Sequence, residues 1–143
     1  GGEVFQREDR SREQRRRHMA MILITHDLGV VAGRADEVAV MYAGRVVERA
    51  PTRALFKRMH MPYTEALLAA IPKLETAPHT PLPAISGRPP DPTRPVPGCS
   101  FAPRCRYAAG RCHQAKPDLS AAETAGHFYA CFHPIRMAEG VGA

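Results

Sequence analysis

EVAVMYAGRVVERA, residues 37–50, is the stretch on which the architecture turns. Val38, Val40 and Tyr42 recur at every second position from Glu37 to Tyr42, the period of a strand with one buried face. Ala43-Gly44 reads as a tight turn, and Arg45 to Ala50 as the returning strand of a hairpin. Upstream, Met21-Ile22-Leu23-Ile24 is a continuous apolar run, expected to form a strand covered on both faces. Thr25-His26-Asp27 ends that run. Asp27 is placed to cap a helix over Leu28 to Ala35, with Leu28, Val31 and Ala32 on one side. Downstream, Pro51 suits the first turn of a short helix through Phe56 and Lys57. Pro62 opens a helix to Ala70, with Tyr63, Leu67 and Ile71 at helical spacing. The pattern is that of an α/β unit.

Outside this unit the composition changes. Residues 1–19 are polar, with six Arg and four acidic residues, and read as a solvated helix or disordered arm. A nucleic-acid patch there would need interleaved aromatics and a binding motif, and has neither. Ten of the fourteen prolines fall between Pro72 and Pro103. Each fixes φ and removes an N–H, so regular structure gives way to a stiff, extended connector. The expected division is a polar arm over 1–19, an α/β part over 20–71, a Pro-rich connector over 72–98, a cysteine-rich tail over 99–136 and a flexible end over 137–143.

With 143 residues the chain suits one domain or slightly more. No run of eighteen apolar residues is present, so no membrane-spanning segment is expected. The N-terminus lacks the apolar core of a secretory signal, making the cytosol the default compartment. In that reducing setting, four cysteines point to metal binding over disulfides.

Two sets of residues carry candidate chemistry. His26 stands directly after the apolar run, at the end of a strand, where open α/β sheets bind ligands. An imidazole there can donate a hydrogen bond to a phosphate oxygen. The plainer alternative is a partly exposed histidine at the start of a helix. Cys99, Cys105, Cys112 and Cys131 follow the spacing C-x5-C-x6-C-x18-C. Four thiolates satisfy either a [4Fe–4S] cluster or a structural zinc ion. None of the gaps is the short knuckle usual for zinc, and wider gaps suit the larger cluster, yet spacing leaves both open. For zinc, His113, His127 or His133 can stand in for a thiolate. Phe101, Tyr107, Phe128 and Phe132 are available as an apolar shell or as a small core. Arg104, Arg106, Arg111 and Lys116 are expected to lower thiol pKa values.

MILITHDLGVVA (21–32) resembles the switch-loop region of ABC-transporter ATPases, and ADEVAVMYAGRVVE (35–48) resembles the strand pair that closes their nucleotide-binding domain. HMPYTEALLAAIP (60–72) resembles the segment marking oligopeptide and dipeptide importers, although Met61 stands where their pattern has His and His60 is one place earlier. The tail, from Gly98-Cys99-Ser100-Phe101 to Ala130-Cys131-Phe132, is similar to the end of the same ATPases. The likeness runs from about Ala20 to Ile135.

The resemblance implies a C-terminal piece of an ABC-type P-loop ATPase domain. It makes His26 the switch histidine that contacts the γ-phosphate of ATP, and gives the full-length parent ATP and Mg as cofactors. Some family members carry a [4Fe–4S] cluster on the four cysteines. Permease subunits and a second ATP-binding subunit are the implied partners, at the cytoplasmic face of the membrane, with no specific nucleic acid. The phosphate loop, the Asp-Glu strand and the signature motif do not occur in these 143 residues. Hydrolysis is therefore expected of the parent and not of this chain alone. Two readings of other classes are a metal-binding nucleic-acid module and a regulatory domain that no longer contacts nucleotide.

Overall fold

A computed structural model of the chain describes residues 16–71, 84–91, 93–94 and 96–135. Its elements in chain order are helix α1 (Leu28–Val31), strands β1 (Glu37–Tyr42) and β2 (Arg45–Pro51), helices α2 (Thr52–Lys57) and α3 (Pro62–Ala69), a 3-10 turn (Ala102–Arg104), helix α4 (Gly110–Gln114), and strands β3 (Ser120–Ala121) and β4 (Phe128–Tyr129). Most of the expected residues 1–19 arm, part of the connector and the 137–143 end lie outside the described residues.

The hairpin forms as its pattern dictates. Ala43 (φ 48°) and Gly44 (φ 75°) are both left-handed, the geometry whose twist matches the flanking strands. Tyr42 pairs with Arg45 and Met41 with Val46, but Val40 pairs with Glu48. Val47 is thus an extra residue, a β-bulge that shifts the register of β2 by one. Beyond it, Val38 and Val40 lie opposite Ala50 and Glu48, and all four are buried. On the other face, an ion pair joins Arg49 to Glu37, both half exposed.

Val31, Val38, Val40, Ala50 and Leu55 form one core cluster, against which Tyr63 and Leu67 pack. Pro51 ends β2 and leads into α2, whose Thr52 hydroxyl donates to the Ala35 carbonyl at 2.5 Å. Asp27 caps α1 as expected, accepting the Gly29 N–H at 2.8 Å. The helix stops at Val31 instead of reaching Ala35. Arg34 and Ala35 both donate back to the Val31 carbonyl, closing a turn around Gly33, a residue that weakens helix continuation.

The apolar run Met21–Ile24 differs from expectation: it is not a strand and is not buried. Ile22 is 90% and Ile24 92% exposed. A strand requires a neighbour, and among the described residues none lies beside this run. The sheet is antiparallel throughout, in the order β1-β2-β4-β3. Two of its strands, β4 and β3, come from the cysteine-rich segment, and β4 joins the hairpin: Tyr129 pairs with Glu48 and Phe128 with Arg49. The result is a small mixed α/β fold in which strands from before and after the connector share one sheet. Among the described residues no helix is long and apolar enough to cross a membrane.

Leu55 is fully buried and joins α2 to the hairpin. Truncating such a side chain removes its transfer energy and leaves a cavity. Leu55→Ala is expected to lower stability by about 2–5 kcal/mol in chemical denaturation.

Candidate functional site

The second core cluster, Tyr42, Met61 and Phe101, is where the cysteines gather. Tyr42 and Phe101 meet edge to face at 5.3 Å, and Tyr63 completes the aromatic group. Cys99, Cys105 and Cys131 pack against it. All four cysteines line one small cavity, walled by Met61, Phe101, Tyr107 and Phe132 with His133 at its edge. The sequence placed Phe101, Tyr107 and Phe132 there. Phe128 instead joins β4 outside the lining.

Local chain geometry brings the cysteines in. The Cys99 N–H donates to the Cys112 carbonyl at 2.7 Å, clasping two of the four. Gly98 makes that clasp possible. A Cβ on it would collide with the Cys112 carbonyl oxygen and lie 2.6 Å from the His113 carbonyl carbon. The 3-10 turn carries the chain from Phe101 to Cys105, whose N–H reaches the Ala102 carbonyl at 3.2 Å. Cys112 lies buried within α4. Cys131 follows β4, directly after Ala130, whose N–H donates to the Val47 carbonyl at 2.8 Å.

The electrostatics differ from the expected thiolate-stabilising setting. Burial pushes the Cys131 thiol up to about 11, against a backbone N–H of His133, and the neighbouring cysteines push the same way. Burial also raises Cys105, with Cys99 and Cys112 adding to the rise and the Tyr107 N–H and Arg106 opposing it. Of the arginines expected to lower these values, Arg106 does so weakly at Cys105, and all three make their direct contacts elsewhere. Arg104 donates to the carbonyls of Ser86 and Ile85, both at 2.9 Å, and to the Tyr42 hydroxyl at 3.2 Å. Arg106 bonds Glu65 at 2.8 Å and the Tyr107 hydroxyl at 2.6 Å. Arg111 lies over the Phe132 ring at 4.2 Å. Arg106 and Arg111 thus brace two cavity walls, Tyr107 and Phe132, while Arg104 ties residues 85 and 86 to Tyr42.

The donor set is of the right chemistry for metal: four soft thiols, a largely apolar shell and two N–H groups directed at sulfur. Among the described residues, no three His, Cys, Asp or Glu side chains form a group that could hold a metal ion. Of the alternative histidine ligands, His113 is exposed, His133 edges the cavity, and His127 is buried with its Nε2 2.8 Å from Glu48.

His26 stands apart from this cavity. It is exposed, between Thr25, whose hydroxyl accepts the Asp27 N–H at 3.0 Å, and the cap of α1. The structure does not bring it to the cysteines. Residues the sequence did not single out are Met61 and Glu48: Met61 walls the cavity, and Glu48 holds the Met61 N–H at 3.2 Å.

Two outcomes follow for the reduced, metal-free chain. Alkylation of Cys131 is expected to keep accelerating with pH until about 11, because burial favours the neutral thiol. A plateau near the ordinary thiol value, about 8.5, would contradict the buried placement. Gly98→Ala is expected to part the Cys99–Cys112 clasp and raise alkylation of both, read residue by residue by mass spectrometry.

Residues 47–112 match the family model described as "Oligopeptide/dipeptide transporter, C-terminal region". The chain is 50% identical over 99 residues to an oligopeptide transport ATP-binding protein of Mycobacterium bovis, covering 69% of this chain and 16% of that protein. It is 46% identical over 113 residues to a probable peptide ABC transporter ATP-binding protein of Sinorhizobium fredii, covering 79% and 33%. To a dipeptide transport ATP-binding protein of Haemophilus influenzae it is 41% identical over 115 residues, covering 80% and 35%. The matched region thus spans about a third or less of these relatives' lengths. It aligns with their C-terminal portion. Over residues 47–112 the chain is therefore similar to the C-terminal region of the oligopeptide/dipeptide transporter family.

Proposed function

We propose that this chain is the C-terminal part of the ATP-binding subunit of a peptide ABC importer, which powers uptake by hydrolysing ATP at the cytoplasmic face of the membrane. The single observation that carries the reading is identity of 41–50%, sustained over 99–115 residues, to proteins named for that role. Permease subunits and a second ATP-binding subunit are the partners this assigns. The division of the chain into arm (1–19), nucleotide-binding part (20–71), connector (72–98), cysteine tail (99–136) and end (137–143) belongs to the same proposal.

In this reading His26 is the switch histidine. Its exposure, just ahead of the Asp27-capped α1, leaves the ring available to a phosphate group held by other residues of the full-length protein. The imidazole donates to a γ-phosphate oxygen and helps orient the attacking water, a contact that counts only where charge develops in the transition state. In the full-length subunit with its permease partners, His26→Ala is expected to lower ATP turnover by about 10²-fold or more. Unchanged turnover would remove His26 from the site.

The four cysteines are proposed to hold a [4Fe–4S] cluster. Support comes from the full set of four thiols lining one small, largely apolar cavity. A cluster supplies four iron–thiolate bonds and hence folding free energy to a segment with little core of its own. Cys99, Cys105, Cys112 and Cys131 would be its ligands, while Met61, Phe101 and Phe132 exclude water. Anaerobic purification followed by metal and sulfide analysis tests this. Iron and sulfide in equal amounts, lost together in Cys131→Ser, are expected; one zinc per chain without sulfide would overturn the cluster.

A further inference from the structure

Glu48 is the least expected buried group in the molecule. Its side chain is fully enclosed, on the core face of β2 opposite Val40. An enclosed carboxylate is costly unless its oxygens are satisfied, and Glu48 accepts three hydrogen bonds. Oε1 lies 2.6 Å from the His60 amide and 2.8 Å from the His127 Nε2, while Oε2 takes the Met61 amide at 3.2 Å. One side chain therefore grips two places far apart in sequence: the entry to α3 and the start of β4.

Both places control the cysteine cavity. Met61, 1% exposed, is one of its walls. The span His127 to Ile135 carries Cys131 and, besides the β4 pairing with β2 and β3, is pinned at three points. His127 is held by Glu48 itself, Ala130 donates to the Val47 carbonyl at 2.8 Å, and Ile135 donates to the His60 carbonyl at 2.9 Å. Since the His60 amide is in turn held by Glu48, the first and last of these pins depend on one carboxylate. The His60 ring reinforces them, stacking on Tyr129 and meeting the His127 edge, each at 4.7 Å. The other cysteines are fixed differently: Cys99 and Cys112 by their mutual clasp, Cys105 by the 3-10 turn.

We infer that Glu48 is a positioning residue for the cysteine cavity, a latch that sets Cys131 and the Met61 wall against the ligands clasped on the other side. It touches no cysteine; it acts through His127, His60 and Met61. The inference concerns the chain's own geometry and stands whether the cavity takes a cluster, an ion or nothing.

Residue-resolved thiol labelling tests it in the full chain, reduced and metal-free, with N-ethylmaleimide as the probe and mass spectrometry as the readout. Glu48→Gln keeps the size but leaves a single acceptor oxygen where two served three donors. Labelling of Cys131 is expected to rise about tenfold, while Cys99 and Cys112 stay within about twofold of the parent, as befits a local opening. His127→Gln, whose amide can donate the same bond, is expected to stay close to the parent, and His127→Ala to fall between. Equal acceleration at all four cysteines, or none at Cys131, would overturn the latch. Should Glu48→Gln fail to fold, His127→Ala decides by the same criterion: faster labelling confined to Cys131 supports the latch, and uniform or absent change refutes it.

Discussion

One extra residue in a strand sets the interior of this protein. Without the bulge at Val47, the two-residue turn would run the hairpin register straight on, pairing Val40 with Val47 and Glu48 with Ala39 on the exposed face. The bulge shifts the pairing by one, placing Glu48 opposite Val40 in the core. The Val47 carbonyl is then taken by the Ala130 N–H, and the Glu48 carboxylate by the chain entering α3 and by His127. Hairpin, α3 and the cysteine-bearing segment become one sheet-centred unit through that single local irregularity.

The polar and apolar parts of this unit divide the work. Burial of Val38, Val40, Ala50 and Leu55 supplies non-directional cohesion on one side, and the Tyr42, Met61 and Phe101 group does so on the other. The hydrogen bonds of Glu48 and Arg104 supply direction. Arg104 binds residues 85 and 86 to Tyr42, and Glu48 binds residues 60 and 61 to 127. The exposed Arg49–Glu37 pair adds little by comparison, since solvent screens it. A segment rich in proline and poor in large side chains is thereby held to a core it does not itself supply.

Much of this was legible in the residues. Alternation in 37–42, the Ala43-Gly44 turn, and prolines at the starts of α2 and α3 gave elements whose boundaries agree with the structure to within a residue or two. The gathering of four dispersed cysteines followed from their count and their Gly- and Pro-rich setting. Three things were hidden. A bulge leaves no mark in the alternation, so the burial of Glu48 was out of reach. Arg104 and Arg111 looked like charge partners of the cysteines because sequence proximity does not reveal which carbonyl or ring a guanidinium meets. The run Met21–Ile24 has the composition of a buried strand, but composition gives a strand no neighbour, and the described residues offer none.

Amide hydrogen exchange tests the central claim most directly, namely that the hairpin and the cysteine-bearing segment form one unit. The amides of His60, Met61, Ala130 and Ile135 each end in a hydrogen bond that crosses between chain segments. The account predicts that these four exchange slowly and at rates comparable to the paired amides of β1 and β2, opening together with them. Protection confined to the hairpin, with Ala130 and Ile135 exchanging as freely as an unstructured chain, would contradict it.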